Sequence, residues 1–249
     1  MRHVEECMGT VFSFDIRDDD SRKIEAGLCH AVSSMREVDH IFSTYKPESD
    51  ISRLGRNEIT IDQCDPLVAE VLEIGERAVT DGAGAFTLYP GGVLDPSAVV
   101  KGWAIERASN ILCAAGSKVH LVNGGGDVQS CSDGAFDWGI AIADPRDSSR
   151  VILDVGDPNL PRFAVATSGT AERGEHIVVA RGRAAGAGLL SVTIVGESLT
   201  EVDIAATTAF ALGDEARDWV EAHDGLEAFA VLADGGMWST TGFSRYVIG

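Results

Sequence analysis

The chain has 249 residues, 45% of them hydrophobic and 24% charged, with a formal net charge of -19. That balance describes a globular protein long enough to bury a sizeable core, and the acidic excess argues against a surface built for nucleic acid or an anionic membrane. The opening MRHVEECMGT carries no apolar stretch of the kind a signal peptide or membrane anchor needs, so a cytoplasmic protein is expected.

Met8 to Ile16 alternates apolar and small residues and predicts a strand, closed by the polar cluster Arg17 to Ser21. Ile24, Leu28, Ala31, Val32, Met35 and Val38 form one stripe of a helix from Arg22 to about His40. The stretch IFSTYKPESDISRLG then breaks the period, with Ser49 to Ser52 reading as a short capped helix and Tyr45 either as half-buried packing or as a ring able to stack on a planar ligand. Asp65 and Pro66 open a further helix through Val79, for which Gly82 and Gly84 supply the positive φ of a C-cap.

Leu94-Asp95-Pro96-Ser97 reads as a turn that Ser97 caps, followed by an amphipathic helix from Val99 to Ala115 with Lys101 in its first turns. A carboxylate, a hydroxyl, free N–H groups and a lysine at a helix N-terminus suit an anionic ligand such as phosphate, although the same pattern also serves as plain capping. Lys118 to Val122 predicts a strand that feeds Asn123-Gly124-Gly125-Gly126-Asp127, where glycines permit either a tight turn or close approach to a ligand.

Strands follow at Phe136 to Ala143, Val151 to Val155 and Phe163 to Ala166, the last ending in Thr167-Ser168-Gly169-Thr170 with His176 shortly after. Ser191 to Val195 is another strand, and Thr200 to Leu212 a helix that Thr200 could cap. On that helix Asp203 and Thr207 stand one turn apart and share a face, either as an oxygen pair that a hard cation such as Mg2+ accepts, or as a first-turn acid for the helix dipole and a hydroxyl bonded back to the backbone. Asp214 to Ala222 predicts a helix, and Ala228 to Leu232 with Met237 to Ser239 a closing hairpin around Asp234-Gly235-Gly236. Five scattered cysteines without a CxxC pair fit buried free thiols better than a disulfide frame or zinc site. With no repeat or linker visible, one α+β domain is expected.

Read in order, MGTVFSF, FSTYKPESDISRL, GAF, LDPSAVVKGWA, NGGGDV, ATSGT, HIV and VDIAATTAFALG resemble blocks of the ApbE family of FAD:protein FMN transferases. The resemblance spans nearly the whole chain and implies an α+β fold with mixed or antiparallel sheet and two lobes around a flavin cleft. It implies Mg2+-dependent transfer of FMN from FAD to a threonine hydroxyl of an acceptor protein, with release of AMP. Met8, Tyr45, Ala85, Phe86, Thr87, Asp95, Lys101, Ser168, Gly169 and Thr170 match positions that contact FAD. Ala98, through its carbonyl, and Asp203 and Thr207 match metal ligands, and His176 matches the proposed base.

Two blocks depart from the family. After Phe86 the expected Asp-Pro-Thr is Thr87-Leu88-Tyr89 and the chain is shortened before Asp95, while the histidine block reads HIVVARGR without its Asp-Pro and Thr-Gly. These departures leave two alternatives open: an FAD-binding or carrier protein without transfer, and hydrolysis of FAD to FMN and AMP.

Overall fold

The structure, a computed structural model, describes residues 1–19, 21–134, 136, 138–157, 159–170 and 188–248. The chain opens with the hairpin β1 (Arg2–Cys7) and β2 (Thr10–Ile16). Met8 and Gly9 turn it with φ of 49° and 70°, so the predicted strand begins two residues late and gains a partner that sequence reading missed. β1 is an edge strand and its mixed RHVEEC pattern carries little periodic signal.

Helix α1 (Arg22–Phe42) follows the predicted stripe, with the Ser21 hydroxyl accepting from the Ile24 N–H. Ser49 caps α2 (Asp50–Gly55), and Asp65 caps α3 (Pro66–Asp81) through the Leu67 N–H. Past α3 the positive φ falls on Ala83 (51°) and Gly84 (77°), whereas Gly82 is at -75°; Gly82 is instead crowded, since a Cβ there would lie 2.7 Å from the Ala78 carbonyl oxygen.

Helix α4 (Ser97–Ala114) starts earlier than predicted, and its first turn is capped by Asp95, whose Oδ1 accepts from the Ser97 N–H at 3.0 Å. Ser97 is therefore the capped residue. Apolar and small side chains of α4 are buried on most of its circumference because helices α1 and α3, the sheet and the later helix all pack on it. Strands β3 (His120–Gly124) and β4 (Asp127–Cys131) form a hairpin whose turn, Gly125-Gly126 at φ 61° and 95°, is a geometry that side-chain-bearing residues adopt at a cost. Of the two uses open to those glycines, the tight turn is the one observed.

β5 (Ile140–Asp144), β6 (Asp147–Val155), β7 (Arg162–Gly169) and β8 (Leu189–Gly196) follow, then α5 (Leu199–Leu212), α6 (Ala216–Glu221), β9 (Glu227–Leu232), β10 (Met237–Ser239) and β11 (Val247–Ile248). Ser198, one residue before the helix, caps α5 through the Glu201 N–H, and the Ser198 and Thr200 hydroxyls both donate to Glu106, at 2.8 and 2.6 Å. The helix predicted over Asp214 to Ala222 is the short α6, preceded by a 3-10 turn at Gly213–Glu215.

Among the described residues the strands form an antiparallel eight-stranded sheet in the order β1-β2-β3-β4-β7-β8-β9-β10 and a three-stranded sheet, β11-β6-β5. Alternation along each strand sorts the two faces. On β9, Ala228 and Ala230 join the core beneath α1, α4 and α5, whereas Phe229 and Val231 join Ile140, Ile142 and Val155 of the small sheet. The large sheet is thus a middle layer between helices and a second sheet, an α+β architecture as expected. Among the described residues no helix is long and apolar enough to cross a membrane.

Candidate functional site

Lys101 on α4, Asp127 at the head of β4, Thr167 on β7 and Asp203 on α5 meet between the helices and the large sheet. Asp127 and Asp203 are buried, at 0% and 2% exposure. The Lys101 ammonium touches Asp127 Oδ2 and lies 3.7 Å from Asp203 Oδ1. The Thr167 N–H donates to Asp127 Oδ1 at 3.1 Å, and the Thr167 and Thr193 hydroxyls are 2.8 Å apart. Among the described residues, two buried carboxylates face one ammonium here. Burial, and then the charge on Asp203, push the Asp127 carboxyl above the usual carboxylate range, while Lys101 pulls the other way.

The α4–α5 contact is set by Gly102. Its N–H, the donor that helical geometry assigns to the Ala98 carbonyl, donates to Asp203 Oδ2 at 2.9 Å. A Cβ on Gly102 would stand 2.7 Å from both Asp203 Cβ and the Leu199 carbonyl oxygen, so the absence of a side chain is what brings Asp203 against α4. Ala98 lies one turn before Lys101 on α4, and Thr207, half-buried, one turn beyond Asp203 on α5. The donors that could hold a cation here are all hard oxygens: two carboxylates, a hydroxyl and a helix-end carbonyl. A divalent ion such as Mg2+ takes donors of this kind.

Met8 occupies the strained turn of the first hairpin, and its N–H donates to Asp39 Oδ1 at 3.1 Å. The other oxygen of Asp39 accepts from Lys46 at 2.6 Å, so one carboxylate ties the Met8 turn to the loop that holds Tyr45. Tyr45 projects into solvent at 95% exposure. Ala85 and Phe86 are buried in the core, and the Thr87 hydroxyl accepts from the Tyr89 N–H at 3.0 Å. The shortened stretch after Phe86 closes on itself, with the Asp95 N–H donating to the Leu88 carbonyl at 2.9 Å.

Asp95 is occupied in capping Ser97; the direct contacts to Asp203 come from Lys101 and Gly102. Ser168 and Gly169 end β7 next to Thr167, Thr170 is exposed, and His176 lies outside the described residues. Asp127 is the member that sequence reading missed. The signal was available in a Gly-Gly-Asp that follows a strand, but the glycines drew attention to the turn and away from the acid behind it.

A cavity of about 1020 Å3 lies on another flank of α4, between Trp103, Arg107, Ile204 and Trp219, and Lys101, Asp127 and Asp203 do not line it. Chemistry and open volume are therefore separate features here. The buried charge cluster is the better guide to the site, because ionised groups are held in a core only where partners or ligands compensate them.

An α+β fold with helices over one face of an antiparallel sheet and a buried Lys-Asp-Asp cluster between them defines a class with a polar site at helix ends. The sequence profile of the ApbE family matches residues 8–93 and 87–230, and the chain belongs to that family. It is 32% identical over 188 residues, 69% of this chain, to an FAD:protein FMN transferase of Rhodobacter capsulatus, and the match spans 35% of that relative's length. The solved flavin transferase ApbE from Vibrio cholerae superposes with a TM-score of 0.78 at 19% identity, covering 99% of this chain and 98% of that one. The apo flavinyl transferase ApbE of Pseudomonas stutzeri gives 0.79 at 20% identity, over 100% of this chain and 97% of that one. At these identities the superpositions speak for the fold.

Proposed function

We propose that this chain, acting as one unit through residues 1–249, transfers the FMN half of FAD to a threonine hydroxyl of an acceptor protein and releases AMP, with Mg2+ at the diphosphate. The observation that carries the reading is the approach of α4 and α5 at Gly102 and Asp203 in a chain of this family. It sets a buried carboxylate beside the first turns of a helix that begins in Asp95-Pro96-Ser97, where a bound diphosphate would gain from the positive end of the helix dipole.

The residues divide the work by chemistry. The Ala98 carbonyl, Asp203 and Thr207 hold the ion; when bound, Mg2+ supplies charge neutralisation at the diphosphate. Lys101 holds Asp127 and Asp203 in register across the helix–sheet seam, and with Asp95 it faces the FAD phosphates. Met8, Tyr45, Ala85, Phe86 and Thr87 serve the flavin end, and Ser168, Gly169 and Thr170 the nucleotide. In the transfer, the threonine oxygen forms a bond to the FMN phosphorus while the phosphorus–oxygen bond to AMP breaks. The hydroxyl proton passes to the His176 imidazole and AMP departs with the bonding pair.

The test is incubation of the purified chain with FAD, Mg2+ and a threonine-bearing candidate acceptor protein, reading free AMP by chromatography and acceptor mass. Transfer requires AMP together with an acceptor heavier by FMN. AMP alone would identify a hydrolase, and retained FAD with no AMP a carrier; either result replaces the proposed reaction.

A further inference from the structure

A second cluster of reactive side chains sits at the far ends of the same two elements that carry Lys101 and Asp127. Cys113, in the last turn of α4, lies over the β3–β4 hairpin, in which His120 and Cys131 are directly paired across the strands. The donor atoms of Cys113, His120 and Cys131 all fall within 4.8 Å of one another, and the two sulfurs are 3.8 Å apart. Tetrahedral zinc with sulfur bonds of about 2.3 Å holds two sulfurs about 3.8 Å apart. The hairpin supplies this spacing through its alternation, which turns Asp127, Gln129 and Cys131 to the helix side while Val128 joins the core shared with the small sheet.

Hydrogen bonds at both ring nitrogens fix the tautomer of the histidine. The Ser117 hydroxyl donates to Asp18 Oδ2 at 2.5 Å, so its oxygen is left to accept from His120 Nδ1, 2.9 Å away. That relay places the proton of a neutral imidazole on Nδ1 and leaves a lone pair on Nε2, which takes the Ser109 hydroxyl at 2.9 Å. A carboxylate acting on a histidine's remote N–H is the arrangement that supports metal-ligating imidazoles, here with a serine inserted. His120 is fully buried and both cysteines are half-buried, so the ligands are held in the wall of the fold while an ion can still reach them. Arg162, paired opposite Cys131, has its guanidinium on Asn110 at 2.7 Å and near Glu106 at 3.6 Å.

We propose that Cys113, His120 and Cys131 form a binding site for a thiophilic divalent cation of the zinc class, with a water or the Ser109 hydroxyl in the fourth position. The site is separate from the oxygen-lined cluster at Asp203 and does not depend on the proposed flavin chemistry. It fastens the C-terminal end of α4 to the hairpin whose opposite end carries Asp127.

The experiment is titration of the reduced, metal-stripped chain with Co2+ and then Zn2+. The expected result is one equivalent of Co2+ bound, with thiolate-to-cobalt charge-transfer absorption and the intense visible bands of four-coordinate cobalt, both removed by Zn2+. Cys113→Ser and Cys131→Ser abolish these bands, whereas Cys29→Ser and Cys64→Ser leave them unchanged. Ser117→Ala, which breaks the relay and leaves every ligand in place, weakens binding about 10–100-fold. The proposal is overturned if the unaltered chain shows no thiolate–cobalt band, if the band survives in both Cys113→Ser and Cys131→Ser, or if the chain loses two hydrogens in mass to a Cys113–Cys131 disulfide instead of taking up metal. Circular dichroism of each apo variant separates lost binding from lost folding, and the Ser117→Ala result stands even if a cysteine variant does not fold.

Discussion

Gly102 gives its backbone N–H to Asp203 Oδ2 at 2.9 Å, across 101 positions of sequence, and no side chain separates the two helices at that point. The contact joins the loop-to-helix segment that begins at Asp95 to the helix that carries the acid.

Gly102→Ala tests the closeness of that approach. A methyl group would press on the Leu199 carbonyl and on Asp203 Cβ, both 2.7 Å away, and backbone is slow to yield. Overpacking of this kind costs about 1–3 kcal/mol. Urea unfolding should show a lower midpoint with an unchanged slope; a wild-type midpoint would mean that the helices separate without cost.

Asp203→Asn keeps an oxygen acceptor for the Gly102 N–H and removes the charge. Stability is expected to change little. FAD-dependent AMP release should fall by about 10²–10³, the scale typical of losing one electrostatic contact to a reacting centre. AMP release at the unaltered rate would take Asp203 out of the active centre.

Lys101→Met leaves Asp127 and Asp203 facing each other without their shared cation. Breaking a buried pair from one side costs about 3–5 kcal/mol, and both acids are nearly inaccessible to solvent. Adding Asp127→Asn removes one of the stranded charges, so the double variant should recover part of the lost stability. Strict additivity in the thermodynamic cycle would contradict the coupling.

Asp18 gives the fold an acid-sensitive point. Burial works to raise its carboxyl, but bonds from the Ser117 hydroxyl and the Lys118 and Val119 N–H groups outweigh it and hold the group below the usual carboxylate range. A group with a depressed folded pKa stabilises the protein above its unfolded value of about 3.9 and loses that contribution as pH falls through the folded value. The stability of Asp18→Asn should therefore approach that of the unaltered chain as pH drops below about 4. A constant difference between the two at every pH would show that Asp18 acts only through neutral packing.

Much of the local structure was legible in the residues themselves. The stripe from Ile24 to Val38, the Asp65-Pro66 start of α3 and the Gly-rich turn before Asp127 each express a rule that acts over a few positions, and all three appear where the pattern puts them. Helix boundaries lie a residue or two from the sequence pattern where capping groups compete. At α4 the side chain that accepts is Asp95 and not Ser97, and at α5 it is Ser198 and not Thr200: both hydroxyls donate to Glu106, but Ser198 has the extended backbone of a cap and also accepts from the Glu201 N–H. β1 escaped notice because an edge strand with both faces partly wet shows weak alternation.

The sequence by itself determined the family, most of the elements and the candidacy of Asp203, Thr207 and Lys101, because those depend on residue type and on spacing over short stretches of chain. Which acid meets which cation was decided by tertiary structure alone. Asp127 became part of the Lys101–Asp203 cluster, and Cys113 a neighbour of His120 and Cys131, only when sheet register and the crossing of α4 over the hairpin set their distances. Charge interaction and ligand geometry depend on separation in space and on exclusion of water, and neither can be read from separation along a chain.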